Sequence, residues 1–306
     1  NTSGNTFTSG STVILSGVWT ARRPATTFYS YQSGVWSNAT TWTLDPSGTI
    51  YNNPSSATPS STDNVVILNG RTVTVTNNNN TVFQLEIQEG SILDLTNSNT
   101  QNYGTIYGKG RMRSTRGTLP AGNYTLFTQS GGGTIELYGN ITAAPELSIS
   151  TFNNLEMNGD AGQSLYIVNT PTQVNGNILI KGGGLYINHN GATPLSVTVE
   201  GNITIKTGCT FSLGTGGANH NLYIKGDLEN EGTVKLTSAN APTYDSDPAA
   251  SVSLTFNNTT KDQSLSCNGP TTLHRLIVDK GTDDTYILNV NTNISTNFFQ
   301  LDFLPI

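Results

Sequence analysis

The residues best placed to do chemistry are two pairs of acids, Asp245 with Asp247 and Asp283 with Asp284. Glycoside hydrolysis needs two carboxylates converging on one face, and a polysaccharide lyase would want a Ca²⁺ site beside a Lys or Arg base. Asp245 and Asp247 lie between Pro242 and Pro248, and Asp283 and Asp284 follow Lys280-Gly281. Adjacent acids in such loop-like stretches read as solvated turn formers. A catalytic site would instead require at least two of Asp94, Asp160, Asp245, Asp283 and Asp284 to meet in a groove near a Lys or Arg. The histidines His189, His220 and His274 show no i,i+2 or i,i+4 pairing and read as polar rim residues, although His189 and His220 can face each other from neighbouring coils. Gly131-Gly132-Gly133 and Gly182-Gly183-Gly184 do not lead a strand into a helix, which removes the phosphate-loop reading, and there is no nucleophile elbow. No enzyme and no cofactor is expected from this set, and no ligand group in the sequence supports a Ca²⁺ ion.

Binding by aromatic stacking is the other chemistry on offer. Trp19, Trp36 and Trp42, with Tyr29, Tyr31 and Tyr51, concentrate rings near the start of the chain. Trp19, Trp36, Trp42 and Tyr51 would form a carbohydrate-stacking platform if exposed; packing onto the first coils is the competing expectation. The formal net charge is -6, and the one basic cluster, Arg111, Arg113 and Arg116, reads as a solvated strand edge. Nucleic acid is therefore not an expected partner. No apolar run approaches the length a membrane-spanning helix needs, so membrane embedding is not expected either. Cys209 and Cys267 lie in strand-like segments and read as small core residues rather than a disulfide.

Positioning any of these groups falls to short strands. Charged residues make up only 11% of the chain while hydrophobic ones reach 34%, and the latter arrive in β-branched clusters such as Val65-Val66-Ile67-Leu68, which marks a folded rather than a disordered chain. Asn and Gly supply turns, Thr and Val favour pleated surfaces, and good helix formers are scarce. From residue 172 a unit recurs: ValAsnGlyAsnIleLeuIle (174–180), ValGluGlyAsnIleThrIle (199–205) and IleLysGlyAspLeuGluAsn (224–230). Its glycines, Gly176, Gly201 and Gly226, are equally spaced. A unit this short cannot bury its own core, and it is too small for a propeller blade. The fold class is all-β: a parallel β-helix, or β-solenoid, with an irregular N-terminal cap. Residues 1–62 are expected to form the cap and 63–306 the solenoid, as a fragment of a longer chain. At about 25 residues and about 4.8 Å per turn the rod would have about nine or ten coils and be about 45 Å long. Upstream of 172 the strand vocabulary is the same and the coils are expected to be irregular. The Pro-bearing stretch 239–249 is expected to loop out of the stack.

GlyValTrpSerAsnAlaThrThrTrp (34–42), ProSerSerThrAspAsnValValIle (59–67) and AsnGlyArgThrValThrVal (69–75), followed by LeuGluIleGlnGluGlySerIleLeuAspLeu (85–95), resemble the opening of large secreted surface proteins of Bacteroidota. They are also similar to the G8 domain. In both, such an opening leads into a β-solenoid. The resemblance implies export, commonly through type IX secretion, although no sorting domain of that system stands among these residues, and a place outside the cell or on its surface. It further implies a structural or adhesive role with surface or matrix components, glycans and, during export, the secretion machinery as partners. The alternative function is a carbohydrate-binding or polysaccharide-degrading β-helix.

Overall fold

The computed structural model describes residues 25–76, 79–141, 145–189, 191–238, 250–282 and 285–292. Trp19, the four loop acids Asp245, Asp247, Asp283 and Asp284, and the whole 239–249 stretch lie outside the described residues.

The chain winds as a parallel β-solenoid. One sheet of eleven strands runs from Gly34–Val35 to Leu288–Thr292 and is joined by two six-stranded sheets and one of five. Every neighbour along this long sheet is parallel, and its inward-facing positions stack in strict register: Val73, Leu93, Met112, Ile135, Leu155, Ile178, Ile203, Leu228, Leu265 and Val290. All but Val290 are buried. Alternation of apolar and polar residues in each strand creates this ladder, because successive side chains point to opposite faces.

The upstream coils keep the inward ladder but vary in length, as expected of irregular coils. They are also shorter: the step along the chain from Val73 to its partner Leu93 is smaller than the step from Ile203 to its partner Leu228. The difference is one strand. After the first turn, which adds Trp42–Thr43 as an extra edge strand, each turn up to Ala121–Asn123 supplies one strand to an N-terminal sheet and one to the long sheet. From Thr151–Phe152 onward each turn carries three: one in an entry sheet before the long sheet, one in the long sheet, and one in an exit sheet that starts at Ser164–Ile167.

Residue 62 does not divide the sheets. Thr27–Ser30 already pairs in parallel with Asn64–Ile67, and Gly34–Val35 with Thr72–Thr74, so the described part of the lead-in forms the first turn. Its aromatic motif closes that turn. Asn38 accepts hydrogen bonds from the Thr40 amide and hydroxyl, capping a 3₁₀ turn over Ala39–Thr41. The chain thereby reverses, and Trp42–Thr43 pairs antiparallel to Thr27–Ser30. Trp42 packs edge-on against Trp36 at 5.0 Å, and its indole N–H donates to the Trp36 carbonyl at 2.8 Å.

At the turns before the long sheet, an amide ladder fixes the register. The Oδ1 atoms of Asn154, Asn177, Asn202 and Asp227 each accept from a backbone N–H one coil further on, those of Asn177, Asn202, Asp227 and Ser264, at 2.7–2.9 Å. The residue preceding each of Asn177, Asn202 and Asp227 is a glycine, because the previous coil's side-chain and backbone oxygens occupy the space a Cβ would need. The recurring Gly-Asn signature is the sequence imprint of this ladder.

The change from two to three strands per turn leaves a seam. The N-terminal sheet ends at Ala121–Asn123 and the entry sheet opens at Thr151–Phe152. A single α-helical turn, Thr125–Thr128, plugs the interval and sinks Phe127 fully into the core. Asn153 ties the seam down, donating to the Gly132 carbonyl at 2.7 Å and accepting from the Gly131 amide at 3.1 Å.

Candidate functional site

The densest side-chain chemistry lies on the outward face of the long sheet. There Asp94, Arg113, Glu136 and Glu156 occupy the same outward slot on four consecutive rungs. Arg111 grips Glu156 through two nitrogens, at 2.6 and 2.9 Å, and reaches Glu136 at 3.1 Å. Lys181 closes the other side, 2.6 Å from Glu156 and 3.1 Å from Glu136. Asn158 donates to Glu136 at 2.9 Å. One rung earlier Arg113 pairs with Asp94 at 2.7 Å while lying over the Tyr138 ring, and the Tyr138 hydroxyl donates to Asp94 at 2.7 Å.

This geometry places two carboxylates, Glu136 and Glu156, on adjacent rungs, with cations around both. A glycosidase using such a pair needs one of the two protonated at working pH. Burial pushes the Glu156 carboxyl up, but hydrogen bonds and charge from Arg111 and Lys181 outweigh burial and hold it below the ordinary carboxylate value. The hydrogen bond to Glu156 in turn raises the Arg111 guanidinium against burial. Burial and then Asp94 push the Tyr138 phenol up to about 12, so it stays a neutral donor. Three acids are matched by three cations, and their ion pairs tie successive turns together.

Removing one cation should therefore cost stability. Arg111→Met is expected to lose about 2 kcal/mol at pH 7, since it strips a partner from two largely covered carboxylates. Glu156 has a lowered folded pKa, so its contribution is present above the unfolded value near 4.5 and is lost as pH falls through the lower folded one. Urea unfolding at a series of pH values should show the gap between wild type and Arg111→Met closing across that window.

The residues singled out by sequence have separate fates. Asp94 joins the array, while Asp160 lies exposed just past the strand Asn154–Gly159 and does not meet it. Trp36 and Trp42 are 1% and 0% exposed and pack on each other, and Trp36 also lies against Tyr103, so neither can stack on a sugar. Tyr51 is exposed, with its ring 5.4 Å from Tyr31. Arg111 and Arg113 are not a solvated edge: their strand, Arg111–Ser114, sits inside the long sheet with a neighbour on each side. Cys209 and Cys267 are free and buried. The signal that sequence reasoning missed is positional. ThrIleGluLeuTyrGly (134–139) and AsnLeuGluMetAsnGly (154–159) carry Glu at the same outward slot, which only the rung-to-rung register reveals.

The His189 and His220 imidazoles have separate partners: Asn188 meets the His220 ring but only the backbone of His189. The Asn188 side chain accepts from the His189 amide at 2.7 Å, and its amide nitrogen lies 3.3 Å from His220 Nε2. Outside, His189 stacks on Tyr166 at 4.2 Å with Nδ1 2.8 Å from Glu146. Inside, His220 is 1% exposed and its Nδ1 accepts from the Leu195 amide at 2.9 Å. An imidazole that accepts there must be unprotonated at Nδ1, and burial lowers its pKa below 6.5. Its stabilising contribution is thus complete above pH 6.5, falls as pH drops from there toward the folded pKa, and levels off below it. His220→Gln should flatten this part of the stability–pH curve, read as unfolding midpoints between about pH 7 and 5.

Comparison with protein-family models, curated proteins and solved structures gave no match.

Proposed function

We propose that this chain is a non-enzymatic rod segment of an exported, cell-surface or extracellular repetitive protein, with a structural or adhesive role toward surface or matrix components. The observation that carries this is the long sheet: eleven parallel rungs whose outward carboxylates at the charged array are clamped by cations from neighbouring turns. Groups held in this way stiffen the stack and are not free to transfer protons. The resemblance of residues 34–75 to openings of secreted Bacteroidota surface proteins supports the location, with the secretion machinery as a transient partner.

A second function, polysaccharide degradation, draws on one specific feature, the Glu136–Glu156 pair. One assay separates the two. The purified chain is incubated with neutral and acidic polysaccharides and released reducing or unsaturated ends are measured. The rod assignment expects none; release that is abolished by Glu136→Gln or Glu156→Gln would replace it with a hydrolase if the ends are saturated, or a lyase if they are unsaturated.

A further inference from the structure

The seam between the two-strand and three-strand coils contains an open notch of about 500 Å³, walled on one side by the helical turn Thr125–Thr128 and on the other by residues 148–151. We infer that this notch is a binding subsite for a neutral saccharide, with Gln129, Thr125, Ser150, Thr151 and Asn169 as its polar lining.

Two independent features carry the inference. The first is a free backbone pair. Among the described residues, the strand Thr151–Phe152 is the first of the entry sheet and has a strand neighbour on one side only, Thr172–Val174. The Ser150 and Phe152 carbonyls accept from the Gln173 and Asn175 amides of that neighbour. Alternate residues of a strand aim their amides and carbonyls in opposite directions, so the N–H and C=O of Thr151 face the notch. A donor and an acceptor held rigidly at the floor of a concavity are the groups that orient a ligand in a pocket.

The second is the lining chemistry. The walls carry hydroxyls, carboxamides, Ile149 and the ring of Tyr124, and no side chain that is charged at neutral pH. Burial raises the Tyr124 phenol well above its usual range, and its hydroxyl is spent on the Pro120 carbonyl at 2.8 Å. An uncharged wall offers nothing to repay the desolvation of an ionic ligand, whereas amides and hydroxyls match the alternating donors and acceptors of a sugar ring. An extended peptide fits less well, because strand addition uses a run of alternate backbone pairs and this edge strand supplies one. The Asn175 side chain, donating to the Thr128 carbonyl at 2.8 Å, also braces the wall and keeps the notch formed without ligand.

The test is calorimetric titration of the intact chain with cello-, xylo-, manno- and malto-hexaose, with a galacturonate oligomer and an extended hexapeptide as comparisons. At least one neutral hexaose should bind with Kd below about 5 mM. Gln129→Ala, in an exposed side chain, should weaken it about tenfold. Thr151→Pro removes the notch-facing N–H while sparing the ladder on the other side, and should do the same. Both variants should keep the melting temperature of the parent, which separates loss of the subsite from loss of fold. The assignment is overturned if no neutral hexaose binds, if the charged oligomer or the peptide binds instead, or if binding survives both substitutions. None of these outcomes bears on the rod assignment, which rests on the long sheet.

Discussion

Gly201→Ala is expected to destabilise the chain by about 3 kcal/mol, more than almost any surface substitution, although it adds a single methyl group to a polar turn. A Cβ at position 201 would lie 2.4 Å from Asn177 Oδ1, 2.5 Å from the Gly176 carbonyl oxygen and 2.7 Å from the Gly176 carbonyl carbon. The first of these atoms could rotate away only by giving up its hydrogen bond from the Asn202 amide. The other two belong to the backbone of the preceding coil, which is fixed by the Gly201 amide donating to the Gly176 carbonyl at 2.9 Å. The methyl group therefore either forces two coils apart or breaks the amide ladder at this rung. Gly208→Ala is the control. Its φ is +81° and nothing lies within 4 Å of the added Cβ, so it carries only the left-handed backbone penalty of about 1 kcal/mol. Urea unfolding of both variants ranks them directly. A Gly201→Ala loss no larger than that of Gly208→Ala would show that the coils can separate without cost, and the ladder would then not set the register.

That glycine also marks how far sequence can reach. The equal spacing of Gly176, Gly201 and Gly226 is visible because the amide ladder needs both a missing Cβ and an Asn or Asp next to it, and this requirement repeats identically on each turn. The shorter upstream turns share the stacked ladder but neither the equal spacing nor the letters. Their inward ladder, from Val73 through Leu93 to Met112, tolerates any apolar residue of suitable volume, and hydrophobic packing leaves no fixed signature. The charged array is illegible for a related reason. Asp94, Arg113, Glu136 and Glu156 are each a full turn of chain apart, and they become neighbours only once each strand's register is known. The Trp pair is legible as a feature while its burial is not, since an aromatic cluster has the same composition whether it faces a core or a ligand. The seam notch has no sequence signal at all. It arises from a change in the number of strands per turn, which no local pattern encodes.

Phe127→Ala should have the largest effect of the core substitutions around that seam, a loss of about 4 kcal/mol, and it should also change the shape of the unfolding curve. The ring is fully buried at the point where the N-terminal sheet has ended and the entry sheet has not begun. A Cβ on Gly133 would come within 2.1 Å of its Cε2, so the backbone has closed on the ring and cannot collapse much further to fill a void. The lost burial and the residual cavity therefore add. Solenoids are stable through contacts between adjacent turns, so a weakened contact lowers the coupling between the blocks on either side. Across this seam coupling is carried by the long sheet, where Thr134–Gly139 pairs with both Arg111–Ser114 and Asn154–Gly159, and by the plug containing Phe127. With the plug gone, the two-strand block should melt separately from the three-strand block. Calorimetry should resolve two transitions in Phe127→Ala where the parent and Phe127→Leu show one, and hydrogen exchange should quicken first at Asn102–Tyr107 and Arg111–Ser114 while Ile203–Ile205 and Thr210–Leu213 stay protected. A single cooperative transition shifted by less than about 1 kcal/mol would mean that the long sheet alone couples the blocks, with the helical turn as mere cover.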